Sequence, residues 1–149
     1  MGNLIEIKDK DSQGGLSVEL KHILGLLTPE GRKLLWAILD LYATGDLGEG
    51  KSMLEFEQKI RESPEGISIS WDELVSLSSV FFQVIDMVIA GYEDPNYHPK
   101  LSPEHPIGEI YKSCEIVIEL IDSSLWRVHV KRDEMIPKFQ AAFSDVEIL

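Results

Sequence analysis

Short apolar runs alternate with polar punctuation along the chain, and the spacing within each run predicts its element. Leu4-Ile5-Glu6-Ile7 is a short strand, and Asp9 to Gly15 a polar loop. Ser17 to Leu27 has helical spacing, with Leu20, Ile23, Leu24 and Leu27 on one side. Thr28-Pro29-Glu30 predicts a helix start: Thr28 caps, Pro29 takes the first helical position, and Glu30 favours the positive end of the dipole. Leu34, Leu35, Ile38, Leu39, Leu41 and Tyr42 then make a broad apolar face, and Gly45 stops the helix. Ser52-Met53-Leu54-Glu55 reads as a capping box, opening a helix that ends before Pro64. Ser70-Trp71-Asp72-Glu73 is a second box, with Leu74, Leu77, Val80 and Phe81 inward and Ser76, Ser79, Gln83 and Asp86 toward solvent. This helix is expected to reach about Gln83, and the β-branched stretch beyond it to form a strand from about Met87 to Glu93.

The C-terminal third carries the sharpest pattern. Glu115 to Ile121 and Leu125 to Lys131 alternate as strands. With Asp122-Ser123-Ser124 as a three-residue turn, Leu120 faces Trp126, Ile118 faces Val128 and Ile116 faces Val130. On the other side Glu119 meets Arg127 and Glu115 meets Lys131, opposite-charge pairs that stabilise a hairpin. A two-residue turn would set Glu119 against Val128 and break both patterns. Asp133 is placed to cap a helix with Met135, Ile136, Phe139 and Phe143 inward, and Pro137 fits only near its start. Val146-Glu147-Ile148-Leu149 closes as a strand, so strand, helix and strand in series imply a right-handed crossover.

These elements predict a single domain over residues 1–149 of α+β class. N-terminal helices pack on a small, mostly antiparallel sheet that ends in a β-hairpin–helix–strand unit. Charge then narrows the function. The chain has 26 acidic and 14 basic residues, a formal net charge of -12. Such a surface repels nucleic acid and anionic lipid and speeds association with cationic partners. It also serves solubility, a use that needs no partner. The single cysteine, Cys114, permits no internal disulfide and adjoins a strand, where burial suits it. The charged N-terminus lacks the apolar stretch of a signal peptide, and no run is long enough to span a membrane. The expectation is a cytoplasmic protein with a basic protein or peptide as partner, and neither a nucleic acid nor a membrane.

Gly45-Asp46-Leu47-Gly48-Glu49-Gly50-Lys51-Ser52 matches the phosphate-binding pattern Gly-x4-Gly-Lys-Ser. Read as such, Lys51 would reach phosphates and Ser52 a magnesium ion, and Ile116 to Asp122 could supply a second motif strand. The predicted context differs: a helix precedes the loop where the motif needs a strand, and Asp46 and Glu49 would repel phosphate. A glycine-rich interhelical loop is expected, with no cofactor. His98 and His105 lie in the proline loop without close ligand spacing, so no metal site is expected. His22 and His129 fall within a helix and a strand, and no nucleophile motif accompanies them, so no catalytic residue is assigned.

Pro95, Pro99, Pro103 and Pro106 mark residues 94–108 as a long, stiff loop. Residues 51–114 hold half of the net charge, and Glu93, Asp94, Glu104 and Glu109 flank this loop as the candidate partner-binding residues.

From Ile116-Val117-Ile118-Glu119-Leu120-Ile121-Asp122-Ser123-Ser124-Leu125-Trp126-Arg127-Val128 through Phe143-Ser144-Asp145-Val146-Glu147-Ile148-Leu149, the chain resembles the ends of small bacterial immunity proteins. Those proteins bind and neutralise a secreted toxin, often a nuclease, and share no motif whose residues transfer. The resemblance implies a non-enzymatic, toxin-neutralising binding protein. A regulatory or scaffold interaction domain is the alternative, and a small nucleotide-binding protein using the 45–52 loop is the second.

Overall fold

The computed structural model describes residues 3–149. The described residues form five α-helices and one seven-stranded antiparallel sheet, an α+β arrangement. The strands are β1 (Leu4–Ile7), β2 (Leu35–Gly45), β3 (Ile67–Ile69), β4 (Phe81–Tyr92), β5 (Ile116–Ile121), β6 (Leu125–Val130) and β7 (Val146–Ile148). Their order across the sheet is β3-β2-β4-β5-β6-β1-β7. The helices are α1 (Leu20–Leu26), α2 (Met53–Arg61), α3 (Trp71–Ser78), α4 (Ile107–Ser113) and α5 (Ile136–Ala142).

The hairpin expectation holds residue by residue. Leu120 pairs with Trp126, Ile118 with Val128, Ile116 with Val130 and Glu119 with Arg127. Lys131 reaches Glu115 at 3.6 Å. The turn is Asp122-Ser123-Ser124, with Asp122 and Ser123 both at positive φ. It is also docked on β4: Ser123 donates its backbone N–H to Ile85 O at 2.8 Å, and Asp122 donates to Asp86 Oδ1 at 3.0 Å. A register shift in β4 between Asp86 and Val84 leaves Ile85 out of the ladder, which frees that carbonyl for the turn. The closing unit also forms. β6 and β7 lie either side of β1, antiparallel to it and so parallel to each other, with α5 connecting them. Asp133 does not cap α5; a 3-10 turn over Asp133–Met135 precedes it, and Pro137 sits in its first turn.

The helix expected from Thr28 to Gly45 is replaced by a 3-10 turn, Glu30–Lys33, and the long strand β2. The cause is burial on both faces. Trp36, Ile38 and Leu41 enter the main core, while Ala37 and Leu39 enter a second core on the opposite side. A strand covered on both sides carries a nearly continuous apolar run, and such a run satisfies helical spacing as well. The N-terminal part is therefore strand and helix in alternation, not helices alone. The predicted boundary in 71–93 also moves: α3 ends at Ser78 and β4 takes Phe81 onward, so the stripe Ser76, Ser79, Gln83, Asp86 does not lie on one helix. The proline-rich stretch is a loop only to Pro106, after which α4 begins.

The main core lies between one sheet face and α1, α2, α3 and α5. It includes Ile23, Ile60, Leu74 and Phe139 from the helices, and Ile5, Met87, Ile118, Trp126 and Val128 from the strands. Trp126 is 2% exposed, and its indole N–H donates to Val18 O at 2.7 Å. Trp36 and Trp71 also pack inside, 5.6 Å between ring centroids. α2 covers β2 where β3 no longer pairs with it: buried Glu57 accepts the Ala43 N–H at 2.8 Å, so that edge amide is satisfied.

Candidate functional site

The second sheet face holds the distinctive chemistry. Strand alternation and the register put six residues in one row across it. Asp40 pairs with Val88, Val88 with Glu119, Glu119 with Arg127, Arg127 with Glu6 and Glu6 with Glu147. The row thus runs from β2 to β7 and carries Asp40, Glu119, Glu6 and Glu147 against one guanidinium.

Arg127 donates from Nε and Nη2 to Glu6 Oε2, at 3.1 and 2.7 Å. Lys8 stands 3.8 Å from the other Glu6 oxygen. Glu119 instead accepts a hydrogen bond from the Tyr111 hydroxyl, delivered by α4. Burial pushes the Glu119 carboxyl above its ordinary range, and the Tyr111 hydrogen bond and the Arg127 charge offset only part of that. Burial also raises Asp40, with the Asp86 carboxylate adding to it. The hydrogen bonds it donates to Glu6 strengthen the charged form of Arg127.

α4 and the preceding loop form a strap over the middle of this face. Ile110 and Cys114 pack with Ala37, Leu39, Ala90, Tyr92 and Val117 into the second core, flanked by Tyr97, Leu101, Ile107 and Tyr111. Burial holds the Cys114 thiol at about 11, far from a reactive thiolate. The Tyr111 ring stacks on His129 at 4.8 Å between centroids and 8° from parallel.

The four acids singled out from the sequence belong to this strap or its roots, and all four are exposed. Glu93 leaves β4 and stands 3.8 Å from Arg132. Asp94 accepts the Asn96 N–H, Glu104 accepts from Ser102 Oγ, and Glu109 lies in the first turn of α4. They occupy the rim, while the row supplies the floor. Sequence reasoning missed Glu6, Asp40, Tyr111 and Glu147 as members. A signal existed for two: Glu6 and Asp40 are single carboxylates interrupting apolar runs. Tyr111 had none, because its role depends on α4 folding back over β5.

The loop at 45–52 is not interhelical; it joins β2 to α2, the strand–loop–helix context of the phosphate motif. Its Gly48 and Lys51 amides are nonetheless engaged within the loop, and the Ser52 hydroxyl caps α2. Asp46 Oδ1 accepts the Gly48 N–H at 2.9 Å, the Lys51 N–H goes to Gly48 O, and Ser52 Oγ accepts the Glu55 N–H. β2 is antiparallel to both its neighbours, unlike the parallel strand that carries such loops. Of the other histidines, His98 and His105 are exposed in the strap, and His22 Nδ1 accepts the Glu19 N–H at the start of α1. Among the described residues no three His, Cys, Asp or Glu side chains are grouped to hold a metal, and no helix is long and apolar enough to cross a membrane.

Comparison with known proteins finds no matching family model, no similar curated protein and no similar solved structure.

Proposed function

We propose that this is a non-enzymatic binding protein, acting in the cytoplasm, whose acidic sheet face takes a basic protein or peptide. The immunity-type resemblance makes a basic toxin domain such as a nuclease the leading partner. The observation that supports this reading is the set of exposed acids on this side of the sheet, Glu93, Asp94, Glu104 and Glu109 of the strap and Glu147 at the end of the row. Carboxylates held in place by a rigid sheet keep their negative potential without reorganising. Such a field steers a cationic partner and makes association sensitive to salt.

The test uses the tagged protein and a variant with Glu93, Asp94, Glu104, Glu109 and Glu147 all reversed to lysine. These side chains are exposed, so the reversal leaves folding intact. Proteins captured from the source cells by the native form and lost by the variant are identified, and association rates are taken at two salt concentrations. A basic partner whose association slows with salt and with the reversals supports the reading. An acidic partner, or one indifferent to both, overturns it and leaves the charge to solubility.

A further inference from the structure

The contact between α4 and β6 joins two titratable rings in an unusual setting. His129 lies under Tyr111, between its cross-strand neighbours Val117 of β5 and Leu4 of β1. Its Nδ1 is shut off from solvent and has no hydrogen-bond partner among the described residues. The next residues on the same face of its own strand are Arg127 and Lys131, both cations. The acids of the adjoining strands are engaged elsewhere: Glu6 with Arg127, Glu115 with Lys131, and Glu119 with Tyr111. On α4 itself, Glu109 and Lys112 are exposed at the helix surface. A second proton on His129 therefore puts a charged N–H into a buried site with no acceptor and two cations flanking it.

We propose that Tyr111 and His129 form an acid-sensitive latch, and that protonation of His129 releases the strap of residues 93–113 from the second core. Neutral imidazole stacks on the phenol and closes the latch. Imidazolium is better solvated in the open form, so acid shifts the population toward opening. Burial lowers the His129 pKa in the closed state, which fixes the sign. Closure is at full strength above the free-histidine value and weakens as pH falls through about 6.5. Glu119 does not supply the switch, because a protonated carboxyl still accepts from the Tyr111 hydroxyl. The latch requires no partner.

Amide hydrogen exchange tests it, with protection factors corrected for the intrinsic effect of pH. The reporter is the Cys114 amide, which donates to Ile110 O. Its protection should stay below that of Ile89, at the centre of the sheet, which marks a local opening. His129→Phe keeps a ring against Tyr111 and removes the titration. Between about pH 7 and about pH 5, the Cys114 protection should fall by about threefold or more in the native protein beyond any fall in His129→Phe. An equal fall in the two proteins, or Cys114 protection equal to that of Ile89, overturns the latch. NMR titration of the His129 imidazole in the native protein needs no variant: a midpoint clearly below about 6.5 is expected, and one at or above it overturns the proposal.

Discussion

Arg127 stands opposite Glu119 in the β5–β6 hairpin but gives its hydrogen bonds to Glu6, on the other neighbouring strand, at 2.7 and 3.1 Å. Glu119 is left to the Tyr111 hydroxyl. The guanidinium thus stabilises one carboxylate by direct contact and a second by proximity alone.

Removing Arg127 should therefore cost more than losing one surface ion pair. Glu6 is 7% exposed, as is Glu119; without Arg127, Glu6 would be left with Lys8 alone, at 3.8 Å, and Glu119 with no cation beside it. Arg127→Leu should destabilise by about 2 kcal/mol or more in chemical denaturation, against under about 1 kcal/mol for an exposed pair. A change no larger than the latter would mean that the row is solvated.

Glu119→Gln should act in the opposite direction. Burial holds the Glu119 carboxyl above its unfolded value of 4.5, so the fold retains a proton there that the unfolded chain has already lost. The stability this contributes is present below the unfolded value and disappears as pH rises through the folded one. At neutral pH the ionised side chain is a net cost, whereas glutamine still accepts the Tyr111 hydrogen bond. The variant should match or exceed the native protein at pH 7 by up to about 1 kcal/mol, with the gap closing toward pH 4. Denaturation midpoints at the two pH values check the sign; a variant weaker at neutral pH would refute it.

Trp126→Ala removes a ring that is 2% exposed, together with its hydrogen bond to Val18 O. A loss of about 3–5 kcal/mol is expected. A shift within about 0.5 kcal/mol is what exposed positions give.

The loop at 45–52 should bind no nucleotide, since Asp46 and Ser52 occupy the Gly48 and Glu55 amides. Calorimetry with magnesium-ATP should show no saturable heat. Micromolar affinity abolished by Lys51→Ala would reverse this assignment.

The alternation and turn length that set the register of the hairpin from Glu115 to Lys131 are local, so that register was legible along the chain. Slipping it by one residue would turn Glu119 and Arg127 onto the apolar face, and the alternation forbids that before any partner element is known. The same holds for the helix starts at Ser52 and Ser70, where side-chain oxygens accept the Glu55 and Glu73 amides three residues on. The loop acids, Glu93, Asp94, Glu104 and Glu109, were legible as exposed.

What governs Leu35–Gly45 lies elsewhere in the chain. Ala37 and Leu39 are apolar because α4, some seventy residues later, folds over them; Trp36 and Ile38 are apolar because α3 and α2 pack on the other side. A segment covered on both faces has no polar side to reveal its period, so its own residues cannot choose between helix and strand. The sheet makes that choice by pairing the segment with β4 over its whole length. The acidic row arises in the same way. Asp40, Glu119, Glu6 and Glu147 come from four separate strands, and only the order β2-β4-β5-β6-β1-β7 brings them into line. Local patterns set turns, caps and hairpin register; burial on two faces and strand order, which join distant parts of the chain, set the rest.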